Sequence, residues 1–180
     1  MATDRFRAGS LPESRRDGNS RASRRPGQLS SDRRRQSRGA CKKAVAMSEP
    51  VVLVSNVWIT GQMSPQRLAE LAVRLGLKRV VNHRPDHEEA GQATSAELAA
   101  VAAEAGLVYV AAPVSGLPSA EAVEATALVL SHGEPTLMFC RSGMRSTAAW
   151  AMAERLNGAD PEDLRATARQ AGYDLSRLPL

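Results

Sequence analysis

From residue 51 onward the chain predicts an α/β sandwich with a mainly parallel central sheet. Three observations carry that prediction. Short runs of β-branched and apolar residues alternate with longer stretches whose apolar residues recur on one helical face. The longer stretches open on capping residues and most of them close on glycine. Finally, most of the short runs are separated by a helix-length segment, which a parallel connection needs and a hairpin does not.

Val51–Ser55 and Trp58–Thr60 read as a hairpin or paired strands. Ser64 followed by Pro65 opens the first helix, with Ser as N-cap and Pro at the first helical position. Leu68, Leu71, Ala72 and Leu75 share one face of it, and Gly76 stops it. Arg79–Asn82 is a buried strand with a polar exit, His83-Arg84-Pro85-Asp86-His87-Glu88-Glu89. Thr94 with Glu97 forms a capping box for a helix that runs to Gly106. Leu107–Ala111 is the next strand, followed by a turn through Pro113 and Gly116. Ser119 caps a third helix reaching about Ser131, and Thr136–Phe139 is the strand after it. A helix over 144–156 follows, and Asp160-Pro161 starts a last helix that ends near Gly172. Functional loops of such a sheet gather at the carboxyl ends of its strands.

The run Thr136-Leu-Met-Phe-Cys140-Arg141-Ser142-Gly143-Met144-Arg145-Ser146 is the candidate active site. It reads as a buried strand, a tight loop and a helix start. A loop of this kind turns successive backbone N–H groups inward and makes a nest for an anion, reinforced by the positive end of the helix dipole. A cysteine at the mouth of the nest is expected to sit as thiolate, the nucleophilic form. Arg145 offers a planar fork for an oxyanion, with Arg141 as a possible helper. Arg141, Ser142, Gly143, Met144 and Ser146 complete the anion-binding loop, and the hydroxyl of Ser146 is expected to donate to the thiolate or to a leaving sulfur. A cysteine ending a buried strand is often only a small apolar residue, but that does not account for two arginines, two serines and a glycine in the next six positions. Arg84 and Asp86 are expected at the rim. Glu88 and Glu89, with Asp86, are weighed as a solvated turn or as an ion pair holding Arg84.

The net charge of +5 is uneven. Residues 1–46 carry 13 Lys and Arg against 4 acids, and residues 47–180 carry 11 against 15. The first segment is rich in Arg, Ser, Gly and Pro, too poor in apolar residues to form a core, and is expected to be a disordered basic tail. It has no apolar run typical of a secretory signal, and its four acids argue against a transit peptide. Met47-Ser48-Glu49-Pro50 has the form of a natural start, so the alternative is that residues 1–46 are an over-extended reading frame, with one domain over 47–180. Contact with nucleic acid is expected only if the tail is real. Two cysteines, Cys41 and Cys140, make no disulfide framework, and no segment has the length of a membrane span. A cytoplasmic setting is expected. Three histidines without a closing set of spacings argue against a metal, and no cofactor is expected.

Four stretches carry a resemblance to the cysteine-dependent phosphatase superfold, and specifically to the beta-lactamase hydrolase-like, phosphatase-like domains of bacteria. They are Thr60-Gly61-Gln62, Val80 through Asp86, Tyr109 through Val114, and Phe139 through Ser146. The resemblance implies a three-layer, dual-specificity-phosphatase-like fold over roughly residues 50–160. It also sharpens the chemistry, through two departures. Phosphatases of this superfold place five residues between Cys and Arg, whereas this chain has four, as in the loops of rhodaneses. They also carry an aspartic acid on a neighbouring loop, whereas the counterpart here reads Val114-Ser115-Gly116-Leu117. Loss of a general acid costs roughly 10²–10⁴ in rate when the leaving group is an alkoxide, while sulfur leaving groups need little protonation. The resulting expectation is a rhodanese-type sulfurtransferase. Cys140 would carry sulfane sulfur as a persulfide from a small donor such as thiosulfate to a thiol acceptor. The alternatives are a phosphatase acting on phosphoryl esters with Asp86 as acid, and a non-catalytic anion-binding or partner-binding module.

Overall fold

The computed structural model describes residues 49–180. The expectations for the basic tail and for a start at Met47 lie outside the described residues. The described residues form five strands and five helices: β1 (Val51–Val54), β2 (Val57–Thr60), α1 (Pro65–Leu75), β3 (Arg79–Asn82), α2 (Ser95–Glu104), β4 (Val108–Ala111), α3 (Ala120–Leu130), β5 (Thr136–Phe139), α4 (Met144–Leu156) and α5 (Pro161–Gln170). The sheet order is β1-β2-β5-β3-β4. Only the β1–β2 hairpin is antiparallel, and β5 runs parallel to both its neighbours. The sandwich expected from the sequence is the sandwich observed.

Local chemistry explains the element ends. Ser64 Oγ accepts from Arg67 N at the start of α1, and Gly76 closes that helix in the left-handed conformation (φ 60°). The Thr94–Glu97 capping box is fully formed at α2. Ser119 and Asp160 cap α3 and α5. The start of α4 differs: its N-cap is Gly143, with φ 94° and no side-chain cap. The helix that follows the candidate loop therefore leaves its first N–H groups for something other than a cap.

β5 is buried along its whole length at the centre of the sheet, and its side chains alternate between two cores. Leu137 and Phe139 join Val80, Leu68, Leu71, Leu98 and Ala102 beneath α1 and α2. Met138 joins Ile59 and Val81 beneath α3, α4 and α5, with Trp150, Leu164 and Ala168. Small residues let α4 approach the sheet closely: Ala148, Ala149, Ala151 and Ala153 are all buried on it. The strand that delivers Cys140 is thus clamped from both faces and both edges. No described helix is long and apolar enough to cross a membrane.

Candidate active site

Because β2, β3, β4 and β5 are parallel, the loops that follow them leave from one end of the sheet. Backbone bonds tie these loops together. Gln62 N donates to Arg141 O (3.2 Å), His83 N to Phe139 O (2.9 Å) and Val114 N to His83 O (3.0 Å). The loop over residues 140–145 sits at their centre.

Cys140 is buried. Gly143 N donates to its Sγ at 3.1 Å. Burial opposes the thiolate, but N–H groups of Ser146, Ser142, Arg145 and Gly143 converge on the sulfur and outweigh it, so the thiol titrates below its ordinary range. Loop N–H groups are turned toward the sulfur, Gly143 N among them. Gly143 is required there on two counts. Its φ is positive, and a Cβ would lie 2.2 Å from Tyr173 Oη and 2.8 Å from Ile59 Cγ2. Tyr173, just past α5, props the loop, and burial followed by the charge of Cys140 raises its own phenol pKa.

Arg145 is held by two acceptors. Its Nη1 donates to Glu88 Oε1 and to Val114 O, both at 2.6 Å, and its Nη2 donates to Glu88 Oε2 at 2.9 Å. A guanidinium has five N–H donors, so Nε–H and one Nη2–H are not taken by Glu88 or Val114, and the side chain also reaches the Cys140 sulfur. The Glu88 hydrogen bond raises the pKa of Arg145, and the Cys140 thiolate adds to it. Arg145 is thereby oriented with a donor pair for an oxyanion beside the nucleophile.

Several sequence expectations change here. Arg84 is not at the rim: it is 2 % exposed. It donates to Gln62 (2.6 Å), Glu88 (2.8 Å) and Glu89 (3.0 Å) beneath the site. A buried guanidinium requires such partners, and of the readings weighed for Glu88 and Glu89 the ion pair holding Arg84 is the one observed. His87, with φ 64°, turns the chain at this point. Asp86 is exposed, and its Oδ1 accepts from Ser95 N at 2.7 Å, so it caps the start of α2 and its carboxylate is already engaged. Arg141 and Met144 are exposed. Arg141 contributes its carbonyl, which accepts from Gln62 N. Ser146 is fully buried, and its hydroxyl meets His83 Nδ1 at 3.1 Å, which corrects the expectation that it points at the sulfur.

The sequence reading missed Thr126 and the roles of two residues it had named, the grip of Glu88 on Arg145 and the bonds of His83 to Ser146 and Thr126. Glu88 bridges Arg84 and Arg145, and hydrogen bonds from Arg145, then Arg84, pull its carboxyl down to about 2 despite a desolvation cost. His83 and Thr126 are buried polar residues that meet each other, Nε2 to Oγ1, at 2.9 Å. A threonine on the buried face of the apolar helix α3 was the available signal for that pair. Among the described residues no group of three or more His, Cys, Asp or Glu side chains is placed to hold a metal.

A cleft of about 280 Å³ lies at the carboxyl ends of β3 and β4, lined by Asn82, Arg84, Pro85, Asp86, Ser95, Ala111 and Pro113, and includes none of the residues 140–146. A larger apolar groove of about 360 Å³, between α3, α4 and the terminal Leu180, contains none of the loop residues.

Residues 50–157 match the family described as beta-lactamase hydrolase-like protein, phosphatase-like domain. The chain belongs to this family. It is 33 % identical over 122 residues to a beta-lactamase hydrolase-like protein of Xylella fastidiosa, covering 66 % of this chain and 28 % of that protein. A protein of the same description from Agrobacterium fabrum is 32 % identical over 103 residues, or 56 % and 24 %. The chain therefore spans about a quarter of the length of the curated relatives it matches. Among solved structures, a candidate phosphatase of Neisseria meningitidis superposes with a TM-score of 0.61 at 25 % identity, covering 71 % of this chain and 91 % of that one. PTPMT1 superposes with a TM-score of 0.54 at 15 % identity, covering 72 % and 89 %. Tk-PTP gives 0.53 at 18 %, covering 68 % and 83 %. These last two likenesses concern the fold, which is that of the cysteine-dependent phosphatases. The family and the Neisseria structure fit the phosphatase-type alternative of the sequence analysis better than its first reading, the sulfurtransferase.

Proposed function

We propose that the domain is a cysteine-dependent hydrolase of phosphatase type, in which Cys140 takes up a phosphoryl group from an anionic substrate. The observation that carries this reading is the Gly143 N–H on the Cys140 sulfur at the start of α4, beside an Arg145 aligned by Glu88. Family membership and the phosphatase-like fold support it. The Sγ–P bond forms as the bond from phosphorus to the leaving oxygen breaks, and the loop N–H groups with the remaining edge of Arg145 hold the equatorial oxygens. Water then attacks phosphorus and releases the thiolate and inorganic phosphate.

The leaving group narrows the substrate class. Asp86 is occupied at α2, Glu88 stays ionised down to about 2, and the 114–117 segment has no acid. Substrates whose leaving group departs without a proton, such as aryl esters or anhydrides, are then favoured over alkyl esters.

One observation favours a second reading, sulfane-sulfur transfer. Four residues rather than five separate Cys140 from Arg145, which makes a smaller nest, and sulfur leaving groups tolerate the missing acid. In that case the Cys140 thiolate attacks the outer sulfur of a thiosulfate-like or persulfide donor, the S–S bond breaks, and a thiol acceptor takes the sulfur from the resulting persulfide.

One experiment separates them. The full chain and its Cys140→Ser variant are assayed for phosphate release from an aryl phosphate, and for mass gain after incubation with thiosulfate or glutathione persulfide. Cys140-dependent phosphate release without sulfur uptake supports the hydrolase. Sulfur uptake without phosphate release replaces it with the transferase, and phosphate release that survives in Cys140→Ser overturns both.

A further inference from the structure

Ser146 adjoins the loop whose backbone N–H groups lower the Cys140 thiol pKa, and its hydroxyl would be a natural further donor. The hydrogen-bond chain behind it settles where that hydroxyl proton goes. Thr126 Oγ1 lies 2.6 Å from Ala122 O, one turn earlier in α3. A carbonyl only accepts, so the single hydroxyl proton of Thr126 is committed to it. Thr126 Oγ1 can then meet His83 Nε2, 2.9 Å away, only as an acceptor, and Nε2 carries the ring proton. Nδ1 of the neutral imidazole is left with its lone pair, and it faces Ser146 Oγ at 3.1 Å. Ser146 is therefore the donor. The chain runs Ser146 to His83 to Thr126 to a backbone carbonyl that cannot reverse it.

We propose that His83 is a positioning residue for Cys140. By accepting the hydroxyl proton of Ser146, it leaves the thiolate to be stabilised by loop N–H groups and Arg145, without a hydroxyl donor. The inference rests on Cys140 being the nucleophile, whichever substrate it serves. A hydroxyl turned onto the thiolate would lower its pKa and, with it, its intrinsic nucleophilicity. Holding that hydroxyl away keeps a more reactive sulfur inside the same nest. The charged and titratable groups around the pair are Arg145, which opposes a second proton on His83, and Cys140 itself, which Tyr173 also faces. Burial is the larger reason that His83 stays neutral, with a pKa of about 4.

The test reads Cys140 directly, by the rate of iodoacetamide alkylation against pH, in the full chain carrying Cys41→Ser so that one thiol reports. Thr126→Val removes the acceptor at Nε2 and lets the ring carry its proton on Nδ1, which frees the Ser146 hydroxyl. The thiol pKa is expected to fall by about one unit, and the limiting rate of the thiolate to fall about threefold. Thr126→Val combined with Ser146→Ala should match Ser146→Ala alone. His83→Asn, whose side-chain carbonyl can replace Nδ1 as acceptor, should restore the parental profile. If Thr126→Val fails to fold by circular dichroism, His83→Leu takes its place with the same expectations. An unmoved pKa in a folded variant, or a shift that persists without the Ser146 hydroxyl, overturns the proposal. A parent protein whose Cys140 titrates as an ordinary thiol would instead overturn the nucleophile reading itself.

Discussion

Glu88 holds Arg145 in a two-point grip, accepting from Nη1 at 2.6 Å and from Nη2 at 2.9 Å. The same carboxylate accepts from Arg84 Nε at 2.8 Å. One side chain on the loop after β3 thus aligns the loop arginine after β5 and satisfies a buried cation beneath it. The arrangement is charge-balanced only across loops that are far apart in sequence, and its consequences can be measured.

Glu88→Gln should leave Arg145 charged but poorly aligned. Catalysis of whichever Cys140 reaction is found should fall by about 10- to 100-fold, mainly in kcat. There is also a pH signature. The carboxyl of Glu88 is depressed from 4.5 to about 2 by its arginines. A depressed pKa stabilises the fold fully above the unfolded value and loses that contribution as pH falls through the folded value. The difference in Tm between the parent and Glu88→Gln should therefore be constant above about pH 5 and shrink steadily from there down to about pH 2. A difference that stays flat across that window would show that Glu88 is not ion-paired in solution.

Gly143→Ala introduces a methyl into space held by Tyr173 Oη and Ile59 Cγ2, at a residue whose φ is 94°. Backbone strain and overpacking together predict a loss of about 2–4 kcal/mol in stability. The thiol pKa of Cys140 should rise part of the way back, because the shifted backbone misaligns Gly143 N, one of several groups that lower it. Denaturant unfolding and an alkylation profile check the two effects separately.

Asp86→Ala tests the remaining acid candidate. Since its carboxylate receives Ser95 N while the Thr94–Glu97 box stays in place, the expected result is a loss of about 1 kcal/mol from one missing hydrogen bond at the start of α2. The pH–rate profile should keep its shape and kcat should change less than about threefold, well short of the loss that follows removal of a general acid. Disappearance of an acidic limb from the profile would return Asp86 to the role of proton donor.

Cys140 should react with iodoacetamide at a pH where an ordinary thiol, titrating near 9.0, is still protonated. The sign follows from the N–H groups around it: they favour the thiolate over the thiol, and burial alone would do the opposite. Rates from the Cys41→Ser protein, between about pH 5 and pH 10, give the midpoint directly. A midpoint above the ordinary value would mean that burial wins.

Most of the fold was legible in residue order because the signals that set it are local. Ser64-Pro65, the Thr94–Glu97 box, Ser119 and Asp160-Pro161 each satisfy orphan N–H groups within a turn of themselves, so the helices begin where these residues stand. Strand β3 over Arg79–Asn82 and β5 over Thr136–Phe139 were marked by their apolar content. The nucleophile, the loop and the donor fork were legible for the same reason, since Cys140 through Ser146 is one continuous segment.

What residue order could not decide was the pairing of side chains across loops. Arg84 and Asp86 lie two residues apart, yet one is buried beneath the site and the other caps a helix. Nothing within that tripeptide distinguishes them, because burial depends on where Gln62, Glu88 and Glu89 arrive from β2 and from the turn at His87. The direction of the Ser146 proton is set by Thr126, on a helix that the sheet brings to the far side of His83. Hydrogen-bond polarity and ion pairing at this site are properties of the assembled parallel sheet: local sequence made the loop, and only tertiary packing determined what surrounds its sulfur.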